Sequence, residues 1–161
     1  NGVVLSAESY FILNFIYTNF ENDYLTAIKY SKTLYEIYPN NLSYQVTYIK
    51  NLLFIKQYDV AEKLINASME ETKNKYFKSQ LIILKGILYE KKYQNNNLAK
   101  NYYNTGISRI SSFGTYGNEY AAYAYFGLSR ISNINNDTKA GKEYRDKALN
   151  MTCFEKNNFD K

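Results

Sequence analysis

Tyr24-Leu25-Thr26-Ala27-Ile28 and Tyr58-Asp59-Val60-Ala61-Glu62 decide the fold, because the second stretch repeats the first after 34 residues. Seven residues beyond each alanine stands a further core position, Leu34 and then Ser68. The same step links Ala99 to Gly106 and Gly141 to Ala148. Seven residues make about two turns of α-helix, so both members of each pair share one face. A small side chain there lets another helix approach closely. The pattern predicts four places where the second helix of a pair rests on the first.

The surrounding sequence supplies the helices. An apolar stripe containing Phe11 and Phe15 predicts a helix over about 8–21, capped by Ser6 or Ser9. Asn22-Asp23 turns the chain, with Asp23 as the next N-cap. A helix over 24–38 is stopped by Pro39, the one proline of the chain. Helices over 42–56 and 58–72 make the second pair. Helices over 76–93 and 97–112 make the third, parted by Asn95-Asn96-Asn97. Residues 111–117 (Ser-Ser-Phe-Gly-Thr-Tyr-Gly) read as a longer loop. Helices over 118–132 and 138–151 form the fourth pair, broken at Asn135-Asn136-Asp137. The expectation is a single all-α domain over 1–161. Its four pairs and eight helices fall at 8–41, 42–75, 76–114 and 115–152, with a polar tail at 153–161.

Composition agrees. The chain has 161 residues, is 45 % hydrophobic and has 19 Tyr and 9 Phe without Trp. Seven Gly and one Pro are too few to punctuate an all-β fold. Histidine is absent, which removes His-based acid–base catalysis, nucleophilic dyads and His metal sites. The lone Cys153 has no partner for an internal disulfide or a thiolate zinc site and reads as a small apolar side chain. Gly114-Thr115-Tyr116-Gly117 lacks the glycine spacing of a phosphate loop, and Glu70-Glu71 diverge on a helix. Four Asn-X-Ser/Thr matches, at Asn41, Asn66, Asn136 and Asn150, are what chance gives in so Asn-rich a chain. Net charge is +5, with the densest basic run from Lys139 to Lys147 broken by Glu143 and Asp146. That alternation is a solvated helix face, so no nucleic-acid partner is expected. No window is apolar enough to predict a transmembrane helix. Neither a catalytic constellation, a cofactor motif nor a metal site is expected.

The spacing resembles the tetratricopeptide repeat family. Phe11, Ala27 sixteen residues on and Pro39 twelve further on match the family spacing in the first pair. Tyr123-Ala124-Tyr125-Phe126-Gly127 is similar to its opening motif, and Lys142 to Leu149 to its closing helix. Asn14-Phe15 and Tyr48-Ile49 stand where the family has Leu-Gly. The third pair lies 38 residues after the second and the fourth 42 after the third, counted on their small residues. The family implies a right-handed superhelix of antiparallel helix pairs around a concave groove, and a non-enzymatic scaffold for a protein or peptide partner. An alternative is a structural or sensor module of a larger exported or regulatory protein, self-associating as a homodimer through its terminal helices. Resemblance to short bacterial members implies an exported, periplasmic setting, with the cytoplasm as the alternative.

By the family's register, the first helices line the groove with Ile12, Ile16, Asn19 and Phe20, then Val46, Lys50, Leu53 and Phe54, then Ile87, Glu90 and Leu128. An apolar lining with sparse charge suits an extended or helical peptide. The competing reading is that several of these side chains pack between helices. Members that clamp acidic chaperone tails carry Lys, Asn and Arg where Ile12, Ile16 and Thr47 stand, so that partner is not expected.

Overall fold

The computed structural model describes residues 5–151, so Cys153 and the tail lie outside the described residues. The described residues are all-α, with no strand among them. The α-helices are α1 (Ala7–Asn19), α2 (Tyr24–Ile37), α3 (Leu42–Phe54), α4 (Tyr58–Glu71), α5 (Lys75–Lys91), α6 (Asn96–Ile110), α7 (Asn118–Ile134) and α8 (Thr138–Met151). A 3-10 segment, Ser111–Gly117, winds on from α6 into α7. The expected eight helices therefore form seven separate helical stretches, and the loop expected at 111–117 is largely helical. The serines explain this. Ser111 and Ser112 hydroxyls donate to the Ser108 and Arg109 carbonyls, both at 2.9 Å, so the end of α6 keeps winding. Only Gly114, at φ 60°, leaves the helical region.

Each helix packs on the next along the chain, and α5 also packs on α3 and α7. This arrangement fits a helical repeat. One turn recurs within every pair. Asn22, Lys56, Gln94 and Asn136 adopt left-handed backbone, each two residues before the second helix starts. The following N–H then reaches back to the first helix: Asp23 to Tyr17, Gln57 to Leu52, Asn95 to Tyr89 and Asp137 to Ser132, at 2.9–3.0 Å. Asp23, Asn95 and Asp137 cap the second helix, accepting from Thr26, Leu98 and Ala140 N–H groups at 3.0–3.1 Å. Gln57, at the same place, makes no side-chain cap.

Every member of the four two-turn pairs is buried. A methyl on Gly106 would fall 2.3 Å from Ile83 of α5, and one on Gly141 2.0 Å from Asn133 of α7. Small side chains are thus what lets each second helix lie on its first. Around these pairs Phe126 is buried, while Tyr24, Tyr58, Leu64 and Tyr144 are half-buried at the core's edge.

Two substitutions test these contacts. Ala61 is fully buried, so Ala61→Leu overpacks the α3–α4 contact and is expected to cost about 1–3 kcal/mol in urea unfolding. Gln57 has nearly the backbone angles of the capping Asp23 and Asn95. Gln57→Asp should therefore stabilise the fold by about 0.5–2 kcal/mol, read as a higher denaturation midpoint.

Candidate functional site

The odd-numbered helices share one cleft of about 250 Å³. Helix α1 contributes Phe11, Asn14, Phe15, Thr18 and Asn19; α3 contributes Ser43, Thr47 and Lys50. Tyr76, Phe77 and Gln80 come from α5, and Glu119 and Tyr120 from α7. A wall drawn from four helices is concave. Its floor is polar and fixed. The Asn14 amide donates to the Ala27 carbonyl at 2.9 Å and to Asn51 Oδ1 at 2.6 Å. Asn51 in turn donates to Thr18 Oγ1 at 3.4 Å. All three side chains are buried, so they need these partners.

Aromatic rings frame the floor. Phe15 meets Phe20 edge-on at 5.9 Å, and Tyr76 meets Phe77 and Phe113 at 5.2 Å. The Tyr76 hydroxyl donates to the Tyr116 carbonyl at 2.8 Å, tying α5 to the 3-10 segment. An ion pair closes the far side. Lys50 Nζ lies 2.6 Å from Glu119 Oε1, joining α3 to α7 across α5. Tyr123 adds a hydroxyl to the same carboxylate oxygen at 3.3 Å. Chemically the cleft offers amides, hydroxyls and ring faces, with one ammonium and one carboxylate already paired. Among the described residues, no group of three or more His, Cys, Asp or Glu is placed to hold a metal.

The residues expected from sequence are dispersed. Asn19 and Lys50 line the cleft. Ile12, Ile16 and Phe20 are exposed but do not line it. Val46, Leu53, Ile87 and Leu128 are core residues, each at most 3 % exposed. Phe54 packs on Tyr24 and Tyr123 at 5.1 and 6.1 Å. The physical reason is a shift in helix register, by one residue on α1 and by two on α7. On α1 it is Asn14, not Phe15, that faces Ala27 of the second helix. On α7 it is Ser129, whose hydroxyl donates to the Gly141 carbonyl at 2.7 Å, and not Gly127. One residue turns a helix by about 100°, which brings Phe11 and Phe15 into the cleft in place of Ile12 and Ile16.

Glu90 serves the core instead. It is buried, with Arg130 Nε and Nη2 donating to its two oxygens at 2.6 and 2.9 Å. The Tyr103 hydroxyl donates to the second oxygen at 2.5 Å. Burial alone pushes the Glu90 carboxyl up, but the Arg130 hydrogen bonds and charge outweigh it and hold the group below the usual range. Burial and the neighbouring Glu90 charge push the Tyr103 hydroxyl well above its ordinary value. Lys91, 3.5 Å from Glu90, is pushed down by burial and by Arg130.

Another hollow, about 370 Å³, lies between α5, α6 and the 3-10 segment and carries Lys75, Lys78 and Arg109 on a largely serine lining. It draws on one helix pair and its connection, whereas the cleft draws on all four pairs. No transmembrane-capable helix occurs among the described residues.

Glu90→Gln should cost about 3–5 kcal/mol at neutral pH, because it leaves the Arg130 guanidinium buried without its counter-charge. The folded carboxyl sits below its unfolded value of about 4.3, so its stabilisation is complete above that pH and is lost as pH falls through the folded value. The gap between wild type and variant in urea midpoints should narrow on acidification. An unchanged gap at acidic pH would show that the carboxylate charge is not the stabilising feature. No protein-family model matches this chain, and no curated protein matches it.

Proposed function

We propose that the chain is a non-enzymatic interaction module of tetratricopeptide type, its helix pairs stacking as a right-handed superhelix. Its cleft takes a short extended segment of a partner protein. The observation that supports this reading is the shared cleft of α1, α3, α5 and α7, as a stack of pairs would bring those four helices to one surface. An extended segment presents backbone N–H and C=O groups and one or two protruding side chains. The amides and hydroxyls of Asn19, Ser43, Thr47 and Gln80 answer the backbone groups. Phe11, Phe15 and Phe77 answer an apolar or aromatic side chain. The volume lies below the roughly 300–1,000 Å³ of small-molecule sites, which suits one bulky side chain with its flanking backbone.

The charge pattern disfavours nucleic acid as the ligand. A nucleic-acid channel carries unpaired cations along its length, whereas the one cation lining this cleft, Lys50, is neutralised by Glu119. The same pair engages the one carboxylate lining the cleft, which is already bonded to an ammonium and a phenol.

Peptide selection on the immobilised chain tests the reading. Selected peptides should be enriched in aromatic or large apolar residues, with affinity measured by fluorescence anisotropy. Ser43→Trp and Thr47→Trp, which fill the cleft from half-buried positions, should each weaken binding at least tenfold, about 1.4 kcal/mol. Circular dichroism checks that each variant remains folded. Peptides that bind a folded, filled cleft as well as the open one would sink the proposal.

A further inference from the structure

The hollow between α5, α6 and the 3-10 segment gathers three cations. Lys75 and Lys78 lie three residues apart on one face of α5. Arg109 stands in the last turn of α6, with Ser108 before it and Ser112 beyond it. No carboxylate lines the hollow. Among the described residues, none of the three cations pairs with a carboxylate anywhere. Lys50 and Arg130, by contrast, have Glu119 and Glu90 as counter-charges.

Folding alone disfavours the two lysines. Lys75 opens α5, at the positive end of the helix dipole, and Lys78 one turn on repels it. Arg109 suits its own helix end but brings a third positive charge to the same hollow. An anion held among them would offset that repulsion. The other lining groups fit such a guest. The Ser79 and Ser112 hydroxyls donate to the Lys75 and Arg109 carbonyls, at 2.7 and 2.9 Å. The Ser108 hydroxyl makes no such bond among the described residues, so it can donate to an anion. Phe113 adds a half-buried ring, held edge-on by Tyr76 at 5.2 Å. The aliphatic stems of the lysines and the arginine add apolar surface beside it.

We propose that this hollow binds a phosphate monoester carried on an aromatic ring. Such a phosphate has nearly two negative charges at neutral pH and three terminal oxygens, one for each cationic group. Its ring lies against Phe113. The hollow, at about 370 Å³, holds more than a phosphate alone and falls within the range of small-molecule sites. A nucleic-acid strand calls for cations along a track, whereas these rim one hollow on one helix pair. The hollow shares no lining residue with the cleft, so the proposal stands whether or not the cleft takes a peptide.

Isothermal titration calorimetry of the whole chain with phenyl phosphate tests it. One site per chain is expected, with inorganic phosphate and phenol each at least about tenfold weaker. Raising salt from about 50 to 500 mM should weaken the binding, since charges this close to solvent are screened. Lys78→Met/Arg109→Met should lose the site, with unchanged circular dichroism. Lys75→Met/Lys78→Met should also lose it while melting no lower than wild type, a result that a structural role for the lysines would not give. A phosphotyrosine peptide, with its unphosphorylated form as the control for the cleft, identifies the source of the group. Phosphate-dependent binding tighter than that of phenyl phosphate supports a modified partner protein, and weaker binding supports a free aryl phosphate. Phenyl phosphate that fails to bind, that binds no better than inorganic phosphate, or that binds the folded Lys78→Met/Arg109→Met variant as wild type would overturn the proposal. A Lys75→Met/Lys78→Met chain that melts well below wild type would do the same.

Discussion

Tyr103 fixes the middle of the molecule, because its ring fits only where two other helices carry no side chain. A methyl at Gly86 of α5 would lie 2.7 Å from the ring, and one at Gly127 of α7 would lie 2.3 Å from it. The ring is fully buried, so two helices close on one residue of α6. Its hydroxyl then completes Glu90, and Glu90 holds Arg130 of α7. A buried ion pair adds little net stability, since desolvation offsets its attraction. What it supplies here is register. Sliding α7 along α5 would strand a carboxylate, a guanidinium and a phenol together. With α5 and α7 so fixed, Glu119 at the start of α7 lies where Lys50 of α3 can reach it, and the cleft takes its width.

The helices were legible because their ends carry local signals. Asp23, Pro39 and the asparagine clusters at 95–97 and 135–136 placed the breaks beside them within a few residues of the observed ones. The two-turn spacing of small residues was legible for the same kind of reason: it repeats. What the sequence concealed was local geometry without a signature. Lys56 and Gln94 adopt the left-handed turn conformation as Asn22 and Asn136 do, although neither residue type favours it. Ser111 and Ser112 read as loop formers, and their hydroxyls instead extend the helix.

The cleft was harder to read, and a single glycine shows why. Gly127 sits beside Phe126 in a family-like motif, which suggests that it faces its own partner helix. It faces the preceding one, and Ser129 takes the expected place by bonding to the Gly141 carbonyl. A glycine in a sequence looks the same whichever helix it admits. On α1 the corresponding shift, from Phe15 to Asn14, is one residue; it left the expected lining on Ile12 and Ile16, and Val46, Ile87 and Leu128 proved to be core. Long-range pairing is equally silent. Asn14 and Asn51 are 37 residues apart and Lys50 and Glu119 are 69 apart, with no spacing rule to join them.

Those same pairs join the stability of the fold to the lining of the cleft. Asn14 and Thr18 line the cleft while their polar atoms hold α1 to α2 and α3. Lys50 lines it while its ammonium holds α7. A segment entering the cleft would meet groups already fixed by bonds within the fold, so little further side-chain ordering would oppose its binding. The constraint runs the other way too. A change that re-tunes the polar floor must also keep α1, α3 and α7 together, and the rim is bound in the same way, since Phe11 meets Tyr44 of α3 and Phe77 packs against the core.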